Sequence, residues 1–159
     1  MDKYVKDILS AKVYDVAVET PIEQATVLSQ RLQNTVLLKR EDMQPVHSFK
    51  LRGAYNKMAG LTTEAAKKGV IAASAGNHAQ GVAMAGSRLG IHTIIVMPVT
   101  TPIIQINAVK ALGGKVILHG DTYDEASAHA QSPVAQKGYT FVHAFDDPAV
   151  IAGPGTVGL

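Results

Sequence analysis

Two short runs hold side chains whose types and spacing can do chemistry. In Val46-His47-Ser48-Phe49-Lys50-Leu51-Arg52-Gly53-Ala54, a lysine stands among an aromatic ring, a serine and small residues where a helix is expected to begin. Apolar neighbours would strip water from its ammonium and favour the neutral amine, the form that attacks an aldehyde. A solvated cation is the plainer role for a lysine, and spacing alone favours it. The second run, Ser74-Ala75-Gly76-Asn77-His78-Ala79-Gln80-Gly81, reads as a turn from strand to helix. Its glycine lets a ligand approach the backbone, and free N–H groups with the helix dipole favour an anion, carboxylate or phosphate. Asn77 adds a donor able to reach a phenolic oxygen. Residue types alone allow equally that Ser74 or Asn77 caps the helix and that His78 packs or faces solvent.

The other reactive side chains carry weaker claims. Arg52, two positions after Lys50, points to a different helical face and is expected to pair with an acid or bind nothing specific. His47 is expected to order its loop rather than move a proton. His119 and His143 flank strands without acidic or histidine partners at ligand spacing, so they read as structural and no metal site is expected. The chain has no cysteine, which excludes disulfides, thiolate metal sites and thiol nucleophiles. Gly153-Pro154-Gly155-Thr156-Val157-Gly158 spells a dinucleotide fingerprint, which needs a strand before it, a helix after it and an acid about twenty residues on. It follows Asp146-Asp147-Pro148, a helix start, and is set aside.

The elements that must position these runs follow from periodicity. From about residue 70, short branched apolar runs alternate with helical segments, the pattern of a parallel sheet with flanking helices, an α/β fold. Strands are expected at Val70-Ile71-Ala72-Ala73, at Thr93-Ile94-Ile95-Val96-Met97, at Lys115-Val116-Ile117-Leu118 and, more weakly, at Tyr139-Thr140-Phe141-Val142. Helices are expected from Asn77 to Arg88, stopped by Gly90, and from a Thr101 cap with Pro102 in the first turn to Leu112. A helix from Tyr123 to Lys137 is expected to be interrupted by Pro133. In such sheets ligands bind beyond the carboxyl ends of the strands, which points to the loops that follow them. The first forty residues differ: a helix from Lys3 to Leu9, a break at Thr20-Pro21, a helix through Leu28 and a strand at Thr35-Val36-Leu37-Leu38. Lys39-Arg40-Glu41-Asp42 reads as a solvated strand end.

At 159 residues, 47% hydrophobic and 18% charged, the chain can bury a core. A formal charge of +2, with bases scattered beside acids, does not argue for nucleic acid. No stretch approaches the roughly 18 apolar residues of a membrane span. The charged start, Met1-Asp2-Lys3-Tyr4-Val5-Lys6-Asp7, lacks the apolar core of a secretory signal, so a cytoplasmic protein is expected.

The two runs together, Ser-Phe-Lys-Leu-Arg-Gly-Ala at Ser48 to Ala54 and Ser-Ala-Gly-Asn-His-Ala-Gln-Gly at Ser74 to Gly81, resemble the signature pair of the threonine and serine dehydratases. These are pyridoxal 5'-phosphate enzymes of the tryptophan-synthase β-subunit fold. The likeness extends through Lys39-Arg40-Glu41-Asp42, Val96-Met97-Pro98, Leu118-His119-Gly120 and Asp147-Pro148 to Gly153. The run from Arg40 to His47 is closer to the biosynthetic threonine ammonia-lyases than to catabolic dehydratases or serine racemases, which remain the alternative beside a non-catalytic α/β module. The resemblance implies that Lys50 holds the cofactor covalently and later takes the substrate's α-proton, and that Phe49 lies beside the cofactor ring. It implies further that Asn77 bonds the 3'-oxygen, and that Ser74, Ala75, Gly76, Asn77 and His78 grip the substrate carboxylate. Threonine, with serine second, would give a 2-oxo acid and ammonia in a homo-oligomer, a tetramer in the family.

The family's glycine-rich phosphate cradle and its regulatory region have no counterpart here, so the chain is expected to be a fragment, inactive alone. Residues 1–42 are expected to open the larger domain, 43–145 to form the smaller one, and 146–159 to return to the larger. Pro154 stands where the family has glutamine.

Overall fold

Branched residues in unbroken runs favour strands that are buried on both faces, and two such runs, at 70–73 and 93–97, form the centre of the fold. A computed structural model describes residues 3–159, and of Pro133 the backbone alone. Four parallel strands lie in the order β5-β4-β3-β6: β3 (Val70–Ala73), β4 (Thr93–Met97), β5 (Lys115–Leu118) and β6 (Thr140–Phe141). Val70 pairs with Thr93 on one side and with Thr140 on the other.

Because side chains alternate along a strand, each central strand feeds two cores. On one face, Val70, Ala72, Ile95 and Met97 pack with α3 (Lys50–Ala59), α5 (Asn77–Leu89) and α6 (Ile103–Ala111) through Leu51, Met58, Val82 and Val109. On the other, Ile71, Ala73, Ile94 and Val96 meet Ala126 and Ala130 of α7 (Tyr123–Lys137). Helix α8 (Pro148–Gly155) lies along α3. The short α1 (Lys3–Leu9) packs against α8, and α4 (Thr63–Lys68) precedes β3. The crossing of α3 and α8 is built on glycine, since a Cβ at Gly53 would stand 2.6 Å from the Val150 carbonyl oxygen.

Before the sheet, β1 (Ile22–Gln24) and β2 (Leu37–Lys39) form an antiparallel pair enclosing α2 (Thr26–Leu32). β1 has no counterpart among the expected elements, because all three of its residues are exposed and carry no apolar alternation. The second strand lies two residues later than its expected start.

Two expectations about helices are corrected. Helix α6 starts at Ile103 with Pro102 at the cap position, and the Thr101 hydroxyl donates back to the Pro98 carbonyl at 2.7 Å instead of capping. Helix α7 runs through Pro133 to Lys137. Its start is held by a capping box in which Thr122 and Glu125 exchange hydrogen bonds. Pro154 lies inside α8, where it removes a helical donor. The strand expected at residues 139–142 is ordered as a ladder only at Thr140 and Phe141, although the Val142 N–H still reaches the Ile71 carbonyl at 2.9 Å.

Candidate active site

Helix α3 begins at Lys50 because the chain turns sharply just before it. His47 takes a left-handed conformation, with φ of 54°, and its N–H donates to the Gln44 carbonyl at 2.7 Å. The buried Ser48 hydroxyl then accepts the Lys50 N–H at 3.2 Å. The His47 ring lies 3.2 Å from the Asp42 carbonyl, so this histidine orders its loop. The half-buried Lys50 side chain reaches across to the carboxyl end of β6, where its Nζ donates to the Ala144 carbonyl at 2.7 Å. The Phe49 ring, 42% exposed, stands beside the amine with its centroid 5.5 Å from Nζ. A pocket of about 190 Å³ opens there, lined by Phe49, Lys50, Ala144, Phe145, Ile151 and Pro154.

The second run sits where strand order predicts, at the carboxyl end of β3, which neighbours β6. The Ser74 hydroxyl accepts the N–H groups of Gly76 and Ala79, each at 3.3 Å, and so shapes the turn. Asn77 is exposed, and its N–H and that of His78 belong to the first helical turn, where no intrahelical acceptor exists. Gly76 is open, since a Cβ there would meet nothing within 4 Å. The structure brings the two runs into contact through Gly81. A Cβ at this position would stand 3.1 Å from the Leu51 nitrogen and 3.2 Å from the Lys50 carbonyl carbon. A glycine inside a helix costs about 1 kcal/mol against alanine, which was the available signal for this close approach.

His78 goes inward. At 4% exposure it places Nε2 2.9 Å from the Val142 carbonyl. Burial depresses its pKa to about 4; the Val142 bond works against this, and the charges of Lys50 and His143 add to it. Its ring is therefore neutral near pH 7, and only its backbone N–H is left for the turn. His143 accepts the N–H groups of Phe145 and Asp146 and stiffens the segment after β6. His119 stacks on His129 with centroids 3.9 Å apart.

Arg52 is paired with an acid, and the acid is Glu41, in the run read as a solvated strand end. That reading fails because Glu41 is buried. Arg52 Nε and Nη2 donate to the two carboxylate oxygens at 2.8 and 3.0 Å, and Nη1 donates to the Thr156 hydroxyl at 3.0 Å. Thr20 and Gln44 also donate to Glu41. Burial opposes ionisation of this carboxyl, but the bonds from Arg52, Thr20 and Gln44 outweigh it and hold the pKa below the ordinary value. The network ties the start of the lysine helix to residues 18–44 and to the chain's last turn. Its partners lie 11 and 104 residues apart, a separation no local pattern reveals.

An amine beside an aromatic ring, next to an open helix terminus, suits an aldehyde cofactor and a substrate carrying a carboxylate. The glycine-rich stretch at 153–158 does not form an anion loop. It is helical, and the Thr156 hydroxyl is engaged with Arg52 and the Gly153 carbonyl. Among the described residues no group of three or more His, Asp or Glu could hold a metal, and no helix is long and apolar enough to cross a membrane.

The L-threonine dehydratase (biosynthetic) of Burkholderia multivorans is 58% identical over 98% of this chain and 31% of its own length. Threonine dehydratase 1 (biosynthetic, chloroplastic) of Solanum lycopersicum is 59% identical over 99% of this chain and 26% of its own. The chain thus spans about a quarter to a third of these relatives. The solved structure of the processed form of threonine deaminase isoform 2 from Solanum lycopersicum superposes with a TM-score of 0.94 at 57% identity, covering 98% of this chain and 43% of that one. Maize serine racemase superposes at 0.91 with 29% identity, covering 96% and 47%. Residues 13–159, which include the lysine, the turn at 74–81 and the sheet that joins them, match the family described as pyridoxal-phosphate dependent enzymes, and the chain belongs to it.

Proposed function

We propose that this chain carries the amine and the substrate-facing turn of an enzyme that eliminates the hydroxyl of threonine to yield 2-oxobutanoate and ammonia, with serine as second substrate. The observation that carries the reading is the contact at Gly81, which sets the Lys50 end of α3 against α5, the helix that the turn at 74–78 opens. Pyridoxal phosphate, when bound, supplies the electron sink for the substrate's α-carbon. Lys50 would hold it and, once free and neutral, accept the α-proton. Phe49 would lie against its ring, and Asn77 would donate to its 3'-oxygen. The first-turn N–H groups, with Ser74, Ala75 and Gly76 shaping the turn and His78 contributing its amide, would hold the substrate carboxylate.

Identity of 55–59% to biosynthetic threonine dehydratases, against 29% to maize serine racemase, favours elimination over racemisation. The change from an antiparallel pair to a parallel sheet supports a division after residue 42, with 43–145 the lysine-bearing unit and 146–159 a return. The reading includes a cytoplasmic homo-oligomer, and the 159 residues alone are expected to turn over little substrate.

The test is 2-oxo acid formation from threonine and serine by the longest natural form of the protein. Threonine is expected to be preferred, and Lys50→Ala to reduce the rate about a thousandfold. A rate unaffected by Lys50→Ala, or racemisation without 2-oxo acid, would refute the reading.

A further inference from the structure

We infer that the His78 side chain is a positioning residue: as a neutral imidazole with its proton on Nε2, it fixes the backbone after β6 whose Ala144 carbonyl holds the Lys50 amine. The inference rests on the proposed function only in taking Lys50 as the reactive amine.

The geometry is a short relay. Val142, just past the end of β6, is still tied to the sheet, its N–H reaching the Ile71 carbonyl at 2.9 Å. Its carbonyl accepts from His78 Nε2 at 2.9 Å, so both polar groups of this residue are fixed, one by β3 and one by α5. Two residues on, the Ala144 carbonyl accepts from Lys50 Nζ at 2.7 Å. His143, between them, accepts two N–H groups and stiffens the turn. His78 belongs to the run that carries the proposed carboxylate grip, so one side chain joins the substrate turn to the lysine's resting place.

The tautomer follows from satisfaction of buried groups. Facing a carbonyl, Nε2 must carry the proton. Nδ1 is buried with no hydrogen-bond partner, which a bare lone pair tolerates better than an N–H would. The titratable groups facing the ring are Lys50 on α3 and His143 after β6, and interaction with each opposes a second proton on His78. With Nε2–H committed to the Val142 carbonyl and Nδ1 buried, the ring presents no polar atom to a substrate, which leaves placement as its role.

Two measurements on the purified chain test this. Nitrogen NMR of the His78 ring should show the Nε2–H tautomer with bare Nδ1, unchanged from about pH 8 to about pH 5. An Nδ1–H tautomer, or an imidazolium at about pH 6, would overturn the inference. Competitive acetylation with a succinimidyl acetate reagent, read by mass spectrometry without cofactor, should find Lys50 about tenfold slower than the exposed Lys110 and Lys115. His78→Phe, which keeps the ring but loses the donor, should speed Lys50 about fivefold, whereas His78→Gln, which keeps a donor, should stay within about twofold of the parent. Equal Lys50 reactivity in the parent and a folded His78→Phe would overturn the inference; if that variant does not fold, the tautomer decides. Borohydride trapping of pyridoxal phosphate away from Lys50, with the acetylation pattern intact, would sink the proposed function and leave standing the placement of the Lys50 amine by His78, stripped of its link to the reaction.

Discussion

Replacing Glu41 with glutamine tests how the start of the lysine helix is held. The change keeps volume and one acceptor oxygen but removes the charge facing Arg52, whose side chain is 1% exposed against 10% for Glu41. Arg52 loses one of two charge-assisted bonds at 2.8 and 3.0 Å and keeps Thr156 and the Val18 carbonyl, at 3.0 and 3.2 Å. Removing one partner of a buried pair costs about 3–5 kcal/mol, and the retained oxygen places Glu41→Gln near the lower end, about 3 kcal/mol. In a chain of this length that corresponds to a fall in Tm of about 6–12 °C. Urea unfolding followed by circular dichroism measures it. The double variant Glu41→Gln with Arg52→Met should be no less stable than Glu41→Gln alone, because the stranded cation goes with it. The sign of the pH dependence is fixed by the lowered pKa of Glu41. Its contribution is complete above the ordinary glutamate value and is lost as pH falls through the depressed folded value, so the variant should lose less stability than the parent in that acid range. A cost under about 0.5 kcal/mol, as for an exposed ion pair, would refute the reasoning.

Gly53→Ala drives a Cβ to within 2.6 Å of the Val150 carbonyl oxygen, where backbone cannot yield as a side chain can, and should cost about 2–3 kcal/mol by urea unfolding. Asp147→Ala removes the cap that accepts the Ala149 and Val150 N–H groups at 2.8 and 3.2 Å, together with the 2.7 Å bridge to Lys57, and should cost about 1–2 kcal/mol. Burial of Asp147 opposes its ionisation, but Lys57 and the capped N–H groups hold its pKa below the ordinary value. Its stabilisation is therefore present above that value and lost below it, and a urea series at falling pH should show the two chains converging.

What was legible in the sequence was what local pattern controls. The runs at 70–73 and 93–97 became strands at the expected residues because branched side chains buried on both faces leave little alternative, and the run at 115–118 joined them as a partly exposed edge strand. Gly90 ended α5 in a left-handed cap, as glycine does. Lys50 and the turn at 74–78 were recognisable singly, and the parallel order explains why they share an end of the sheet. Long-range partners were not legible: Glu41 looked like a solvated acid until Arg52 and Thr20 were brought to it, and the Ala144 carbonyl gave no side-chain signal. The inward turn of His78 was equally hidden, since its partner is a backbone oxygen 64 residues away.

The central claim, that Lys50 is the amine the fold prepares, meets its most direct test in one experiment. Pyridoxal phosphate is added to the longest natural form of the protein, the product is reduced with borohydride, and the modified peptide is mapped by mass spectrometry. The account predicts an adduct concentrated on Lys50 and absent from Lys50→Ala; a folded chain whose adducts fall on other lysines with Lys50 unmodified would contradict it.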